Sequence, residues 1–206
     1  MDRLLIFPFN GNGLEALDCL GNNYELIGFI DDTPEKSGKN KMGFEVFDRS
    51  VLSKYPEAKV LAVPGGPASY LHRKKIIDGL QLESKRFATV IHPKASVSAL
   101  ASVGYNVLMM AGTVITANAV IGNHVCILPN TVVHHDSRIG DYTLMGSNIT
   151  VAGYTEIGEM CYIGSGTSVI NGISVGNGSL VGMGSNVIRS VPANVKTVGN
   201  PSKIIQ

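Results

Sequence analysis

Aliphatic residues recur at every sixth position through the second half of the chain. The register runs without insertion over Ile91, Val97, Val103, Met109, Ile115, Ile121, Ile127, Val133, Ile139, Met145, Val151, Ile157, Ile163, Val169, Val175, Val181 and Val187. The residue four positions later is small or β-branched throughout, and glycine often follows the register position. A helix returns every 3.6 residues and a strand alternates every two, so this period indicates short strands separated by tight corners.

Three such hexads close one triangular coil of 18 residues, and stacked coils bury a common apolar column. Because each coil covers the inner face of its neighbours only, the element is cooperative and needs covered ends. The sequence therefore predicts a β-helix over residues 91–192, followed by a C-terminal tail over residues 193–206.

Residues 1–90 show a different pattern, in which strand-like and helix-like runs alternate. The strand-like runs are LLIF, YELIGFIDD and KVLAVPGG, and the helix-like runs are GLEALDCLGN and PASYLHRKKIIDGLQ. This alternation with short connections predicts an α/β domain with a small parallel sheet of Rossmann type.

The two parts also differ in charge. Most of the 17 basic and 16 acidic residues lie in residues 1–90, so the repeat is nearly uncharged. A net charge of +1 provides no field to draw the chain to nucleic acid, and the opening apolar run is too short to span a membrane. Cys19, Cys126 and Cys161 show neither a disulfide nor a zinc spacing. We expect a cytoplasmic protein without nucleic acid, membrane span or metal.

A glycine-rich turn joins the first predicted strand to the first helix. It consists of Asn10, Gly11, Asn12 and Gly13. Backbone N–H groups at such a turn suit a phosphate, although the spacing departs from G-x-G-x-x-G. Asp31 and Asp32 end the second strand, where carboxylates can accept hydrogen bonds from a ribose or a base. A tight loop and a solvated turn are the alternative interpretations.

Two histidines and an aspartate occupy one predicted corner of the repeat. His134, His135 and Asp136 follow an inward register valine and therefore project outward. The residues 18 positions before and after His135 are Ala117 and Gly153, which leave space beside it. A carboxylate beside an imidazole fixes its tautomer and raises its basicity. His135 is thus a candidate general base, with a pair of solvated turn residues as the alternative.

Five motifs in order resemble the sialic acid O-acetyltransferase family of sugar acyltransferases. They are FNGNG, FIDD, IHPKASVS, HD before S-x-IG, and VGNPSK, and they span nearly the whole chain. The family includes nucleotide-sugar N-acetyltransferases of the bacillosamine and perosamine pathways. The resemblance implies a Rossmann-like domain followed by a left-handed parallel β-helix, in a homotrimer with active sites at the subunit interfaces.

The implied activity is acetyl-CoA-dependent N-acetylation of a UDP- or dTDP-linked 4-amino-4,6-dideoxy sugar. The resemblance makes His135 the general base and Asp136 its orienting partner. Acetyl-CoA, the co-substrate, is expected along a groove between two β-helices at Gly153, Ser165 and Met183. The nucleotide sugar is expected on Asn10, Gly11, Asn12, Gly13, Asp31, Asp32, Gly65 and Gly66.

Two positions depart from the family pattern. Leu144 stands at the cofactor side where several relatives carry a histidine that approaches the acetyl group, and Asn12 replaces a histidine of the glycine-rich turn. His134 has no assigned role. The remaining histidines are expected to be structural: His72, His92 and His124.

Three alternatives stay open at this stage. The first is O-acetylation of a sialic-acid-like sugar. The second is a non-catalytic nucleotide-sugar-binding module, in which Leu144 and Asn12 mark lost chemistry. The third is a zinc site built from histidines of adjacent subunits, which the missing H-x4-H spacing disfavours.

Overall fold

The computed structural model describes residues 1–205 and begins with a five-stranded sheet. Its strands are β1 (Asp2–Phe7), β2 (Tyr24–Ile30), β3 (Gly38–Lys39), β4 (Glu45–Phe47) and β5 (Lys59–Ala62). The order is β3-β4-β2-β1-β5, in which β4, β2, β1 and β5 run parallel and β3 pairs antiparallel with β4. The three predicted strands therefore form adjacent parallel strands, and the short β3 and β4 extend the sheet beyond them.

The helices of this part are short. They are α1 (Gly11–Glu15), α2 (Val51–Lys54) and α3 (Arg73–Asp78). Single 3-10 turns lie at Ala16–Cys19, Pro34–Lys36, Tyr70–His72 and Ser84–Arg86. Both predicted helices occur, each as a short α-helix joined to a 3-10 turn, whereas α2 was not predicted.

A column of two-residue strands follows. The strands are β6 (Val90–Ile91), β7 (Ser96–Val97), β8 (Ser102–Val103), β9 (Leu108–Met109), β10 (Val114–Ile115), β11 (Val120–Ile121), β12 (Cys126–Ile127), β13 (Val132–Val133), β14 (Arg138–Ile139), β15 (Leu144–Met145), β16 (Thr150–Val151), β17 (Glu156–Ile157), β18 (Tyr162–Ile163), β19 (Ser168–Val169), β20 (Ser174–Val175), β21 (Leu180–Val181) and β22 (Asn186–Val187). The second residue of each strand is the register residue predicted from the sequence.

These strands stack into three parallel faces. Face A consists of β7, β10, β13, β16, β19 and β22; face B of β8, β11, β14, β17 and β20; and face C of β6, β9, β12, β15, β18 and β21. Strands pair with those 18 residues away, as Val132 does with Thr150. We name the corners by the faces they join in chain order, so that corner AB follows face A, corner BC follows face B, and corner CA follows face C. The arrangement fits the expected left-handed parallel β-helix.

The register residues fill the interior of the β-helix. Nearly all of them are buried and form one apolar cluster with residues such as Val107, Val125 and Cys161, which lie four positions further on. At the corners the chain turns through left-handed residues, among them Asn118, Asp136 and Tyr154. The corner position that follows each strand is therefore held in a fixed geometry.

The N-terminal sheet covers face C of the β-helix. Leu108, Cys126 and Leu144 point outward from this face and are buried in one cluster with Ala16 and Phe29 of the N-terminal part. Face C is the most apolar face because its outward residues are covered within the same chain.

A buried arginine ties the N-terminal part to corner BC. The Arg73 guanidinium donates to the backbone carbonyl oxygens of Tyr142 at 2.9 Å and His124 at 2.7 Å, and also to that of Pro64. Its side chain is fully buried. The loop after β5 is thereby fixed relative to the β-helix.

Residues 193–206, predicted as a tail, contain two further strands in their described part. β23 (Lys196–Val198) pairs parallel with β21, and β24 (Lys203–Ile204) pairs antiparallel with β23. Within residues 1–205, no helix is long and apolar enough to cross a membrane.

Candidate active site

His135 and Asp136 form a hydrogen-bonded pair at corner AB. Nδ1 of His135 lies 2.8 Å from Oδ2 of Asp136. The side chain of His135 is 52% exposed and that of Asp136 is 31% exposed. An imidazole whose Nδ1–H donates to a carboxylate presents a free Nε2 lone pair. The pair can therefore take up a proton from a molecule that approaches the corner from outside.

Residues from the coils on either side support this pair. Nδ2 of Asn118 donates to Oδ1 of Asp136 at 3.1 Å. The ring of Tyr154 stands edge-on to the His135 ring, with centroids 5.2 Å apart. A Cβ at Gly153 would lie 2.8 Å from Cε1 and 2.9 Å from Nε2 of His135. Gly153 thus provides the space that the imidazole occupies.

The electrostatics of the corner favour an ionised carboxylate. The hydrogen bond from His135, followed by that from Asn118, lowers the pKa of Asp136 below its usual range. The carboxylate consequently stays charged and keeps accepting from Nδ1 of His135.

The residues expected to meet the cofactor lie at two different corners. Gly153 shares corner AB with His135, whereas Ser165 and Met183 follow β18 and β21 at corner CA. Met183 is 74% exposed, and Oγ of Ser165 accepts from the Ser147 N–H at 3.0 Å. The two corners flank face A, so a single chain does not bring these residues to His135.

Leu144 occupies a different place from the one expected. Its side chain is only 3% exposed and lies on face C beneath the N-terminal sheet, in the cluster that includes Cys126. A side chain covered in this way cannot touch a cofactor bound at a corner. The leucine fits its position because the surrounding residues are apolar.

The glycine-rich turn is fastened to the loop after β5. Oδ1 of Asn10 caps α1 by accepting from the Gly13 N–H at 2.8 Å, and Nδ2 of Asn10 donates to the Val63 carbonyl at 3.4 Å. Nδ2 of Asn12 donates to the Gly65 carbonyl at 3.4 Å. The turn and the loop thus meet at the carboxyl edge of the sheet.

Three glycines of the glycine-rich turn and of the loop after β5 have different surroundings. A Cβ at Gly13 would lie 2.6 Å from the Pro8 carbonyl oxygen, so close packing of α1 on β1 requires glycine. A Cβ at Gly65 would lie 2.8 Å from Cγ of Arg73, so this glycine makes room for the buried arginine. Gly11, by contrast, faces open space.

Asp31 and Asp32 both have partners within the chain. Asp31 is buried and accepts from the Phe9 N–H at 3.2 Å and from Nζ of Lys36 at 2.8 Å. Burial opposes ionisation of Asp31, but hydrogen bonds from Lys36 and Thr33 outweigh it and lower its pKa. Asp32 is exposed and accepts two hydrogen bonds from Arg49, each 2.7 Å long.

The other histidines differ from His135 in their contacts. His124 is buried and stacks on Tyr142 with centroids 4.5 Å apart, and burial lowers its pKa to about 4. Nδ1 of His92 accepts from the Lys94 N–H at 2.9 Å within a turn, and His72 is exposed beside α3. His134 lies half-buried at corner AB. No three His, Cys, Asp or Glu side chains among residues 1–205 converge to hold a metal ion.

Sequence reasoning missed two residues of corner AB. Asn118 and Tyr154 lie 18 positions before and after Asp136, at the same step of neighbouring coils. The spacing that pointed to Gly153 beside His135 would also have pointed to this pair beside Asp136.

The repeat itself matches a known family model. Residues 118–153, which include corner AB, match the model described as bacterial transferase hexapeptide (six repeats). This stretch is therefore similar to the hexapeptide repeats of bacterial transferases. The narrower resemblance to sialic acid O-acetyltransferases stays a prediction, and no sequence of a curated protein matches the chain significantly.

Several solved structures share the fold over the whole chain. A variant of perosamine N-acetyltransferase from Caulobacter crescentus, in complex with CoA and GDP-perosamine, is 25% identical, with a TM-score of 0.86 over 100% of this chain and 97% of that chain. WeeI from Acinetobacter baumannii is 25% identical, with a TM-score of 0.84 over 100% of both chains. The acetyltransferase domain of PglB from Neisseria gonorrhoeae is 24% identical, with a TM-score of 0.87 over 100% of both chains, and shows the fold alone.

Proposed function

We propose that the chain is an acetyl-CoA-dependent N-acetyltransferase that acts on the amine of a nucleotide-linked 4-amino-4,6-dideoxy sugar. The observation that carries the proposal is the exposed His135–Asp136 pair, hydrogen-bonded through Nδ1 at a corner of a hexapeptide β-helix. The similarity over the full chain to a perosamine N-acetyltransferase in complex with CoA supports this choice of reaction.

His135 acts as the general base in the proposed reaction. The sugar amine attacks the thioester carbonyl of acetyl-CoA, and Nε2 of His135 takes the proton that the amine loses. The C–N bond forms, the C–S bond breaks, and CoA leaves as the thiol after protonation. A well-placed base contributes roughly 10²- to 10⁴-fold to such a step. The developing oxyanion needs a donor, for which a backbone N–H is suited.

The placement of the expected cofactor residues favours a site shared between subunits. Face A separates His135 at corner AB from Ser165 and Met183 at corner CA. The outward residues of face A are uncharged: Ser96, Val114, Val132, Thr150, Ser168 and Asn186. A head-to-tail ring of three chains can set corner AB of one chain against corner CA of the next. We therefore propose a homotrimer in which acetyl-CoA lies between two β-helices, along Gly153 of one and Ser165 and Met183 of the other.

The acceptor is proposed to bind at the carboxyl edge of the N-terminal sheet, where the glycine-rich turn meets the loop after β5. In α/β sheets, ligands bind beyond the carboxyl ends of the strands, where Asn10, Gly11, Asn12 and Gly65 lie here. In this proposal residues 1–90 are a Rossmann-like acceptor domain and residues 91–192 the acetyl-transfer domain. The proposed nucleotide is UDP, dTDP or GDP. GDP is included because the similar Caulobacter enzyme is in complex with GDP-perosamine.

Release of CoA thiol tests the proposal directly. Acetyl-CoA is offered with UDP-, dTDP- and GDP-linked 4-amino-4,6-dideoxy sugars, with the matching 4-hydroxy sugars, and with sialic acids. The protein's own thiols should add little to the thiol signal, because all three cysteines are buried. Burial raises the pKa of Cys19 to about 12 and those of Cys126 and Cys161 to about 11, which disfavours the reactive thiolate.

The outcomes separate the candidate functions. Thiol release only with an amino sugar, with a product that carries a base-stable amide, supports N-acetylation. Release only with sialic acids supports O-acetylation instead. Tight binding of a nucleotide sugar without thiol release from any acceptor would support the alternative of a non-catalytic nucleotide-sugar-binding module.

A further inference from the structure

We propose that Asn118 is a positioning residue that fixes the Asp136 carboxylate, so that His135 keeps its proton on Nδ1 and presents Nε2 to the substrate. The inference rests on the proposed role of His135 as the base. It adds a residue from the preceding coil of the same corner, which the sequence did not single out.

The hydrogen-bond geometry at Asp136 supports this role. Both carboxylate oxygens face side-chain donors: Asn118 donates to Oδ1 at 3.1 Å, and His135 faces Oδ2 at 2.8 Å. The Tyr154 side chain also contributes a hydrogen bond to this carboxylate. The Asn118 amide therefore limits rotation of the carboxylate and aims its second oxygen at the imidazole. It also favours the ionised form, because an amide N–H donates a stronger hydrogen bond to a charged carboxylate than to a neutral carboxyl group.

A turn role alone does not account for these contacts. Asn118 has a φ of +59°, a left-handed conformation that asparagine tolerates well at corners. Asn194 has the same φ of +59° and is also exposed, at corner BC. Among the side chains described, however, Asn194 donates to no carboxylate, whereas Asn118 does. The two residues share the left-handed backbone conformation, whereas only Asn118 contacts Asp136.

This difference provides a matched pair of variants. Glycine adopts a positive φ without strain, so Asn118→Gly removes the amide and leaves the turn intact. Asn194→Gly makes the same change at a corner without the histidine. We expect kcat to fall about tenfold in Asn118→Gly with KM for both substrates within twofold of wild type, the scale of one charge-assisted hydrogen bond. In Asn194→Gly we expect wild-type kcat.

A third variant replaces the amide that donates to Asp136 by a second carboxylate. Asn118→Asp places a second carboxylate beside Asp136, which stabilises the protonated forms of the pair. The acid limb of kcat/KM should therefore move to higher pH if the Asn118 side chain faces the His135–Asp136 pair in solution, and no shift would contradict this contact.

The imidazole tautomer gives a readout that does not depend on turnover. In full-length protein with ¹⁵N-labelled histidine, ring nitrogen shifts should show His135 protonated on Nδ1, with assignment by His135→Gln. In Asn118→Gly the Nε2-protonated tautomer should become populated. Nδ1-protonated His135 in both proteins, together with wild-type kcat in Asn118→Gly, would overturn the inference.

Failure of the inference differs from failure of the proposed function. If His135→Ala is inactive while Asn118→Gly matches wild type in turnover and in tautomer, Asn118 has no positioning role and the base assignment stands. If His135→Ala keeps wild-type turnover, the base assignment itself is wrong, and the positioning role is wrong with it.

Discussion

Residues from three successive coils orient the imidazole of His135. Asp136 accepts from its Nδ1, Asn118 holds the far oxygen of that carboxylate, and Tyr154 stands against the ring. The 18-residue period of the sequence makes these residues neighbours. The geometry around the proposed base is therefore a property of the stacked corner and not of the HHD motif alone.

Gly153 gives a direct test of this arrangement. Gly153→Ala places a methyl carbon 2.8 Å from Cε1 and 2.9 Å from Nε2 of His135, which is closer than van der Waals contact, so the imidazole must shift. We expect kcat to fall at least tenfold, since a misplaced base costs this much or more. Steady-state kinetics of Gly153→Ala measure the effect beside Gly172→Ala on the same corner, where a Cβ meets no atom although the φ of +73° makes alanine strained. Equal kcat in the two variants would show that the imidazole position is not critical.

At the level of residues the sequence predicted part of this site. Period and chemistry together identified His135, Asp136 and the space at Gly153, because all three follow from the register. The burial of Leu144 could not be read in the same way, since it depends on how the N-terminal sheet covers face C. The same limit applies to Gly65, because the sequence does not show that a side chain there would collide with the buried Arg73.

The coil is the element that carries the stability of the β-helix. Its inward residues form one continuous cluster, so a cavity in one coil weakens contact with both neighbours. The strands are only two residues long, and their pairing depends on the register side chains beneath them.

Truncation of one inward residue should show this dependence. Ile157 is 2% exposed, and Ile157→Ala should lower the free energy of unfolding by about 2–5 kcal/mol through lost burial and cavity formation. Glu156→Ala, on the outward side of the same strand, should change it by less than about 0.5 kcal/mol. Denaturant unfolding of the two variants decides the matter, and a similar loss in both would contradict the inward register.

Corner BC should make stability depend on pH. Burial lowers the pKa of His124 from 6.5 to about 4, so the unfolded chain binds this proton more readily than the folded chain. Stability from this group is therefore lost as pH falls from about 6.5 to about 4. His124→Phe keeps a ring against Tyr142 and should flatten the pH dependence in this window. His72→Phe, at an exposed position, should retain it. If stability depends on pH in His124→Phe as it does in the wild type, His124 is not the source of that dependence.

The elements show where sequence patterns are informative. The six-residue period predicted the β-helix register in full, because each repeat imposes the same inward and corner positions. The short β3, β4 and α2 lack any such repetition and depend on the sheet they join. Both predicted helices contain 3-10 turns because their formation depends on packing against the sheet more than on propensity.

The whole molecule separates the two halves of the proposed site. Corner AB and corner CA flank face A, so the base of one chain lies apart from Ser165 and Met183 of that chain. The sequence resemblance already implied a site between subunits, and the folded coil shows Ser165 and Met183 at a different corner from His135. The shared site is thus the proposal that depends most on assembly.

Mixed assemblies test the shared site. His135→Ala removes the base, and Met183→Glu places a carboxylate where the anionic cofactor is proposed to lie. Each variant should be inactive alone, whereas co-expression in equal amounts should restore up to about a quarter of wild-type activity, because some interfaces combine two intact corners. Sedimentation of the mixture checks that it is trimeric. Absence of any restored activity in confirmed mixed trimers would contradict a site built from two chains.

The most direct test of the account compares the two neighbouring histidines. His135→Ala and His134→Ala remove the same side chain from adjacent positions of corner AB, and kcat is measured by CoA thiol release with the best nucleotide-linked amino sugar. We expect kcat to fall roughly 10²- to 10⁴-fold in His135→Ala and to stay near the wild-type value in His134→Ala. Wild-type turnover in His135→Ala, or the larger loss in His134→Ala, would contradict it.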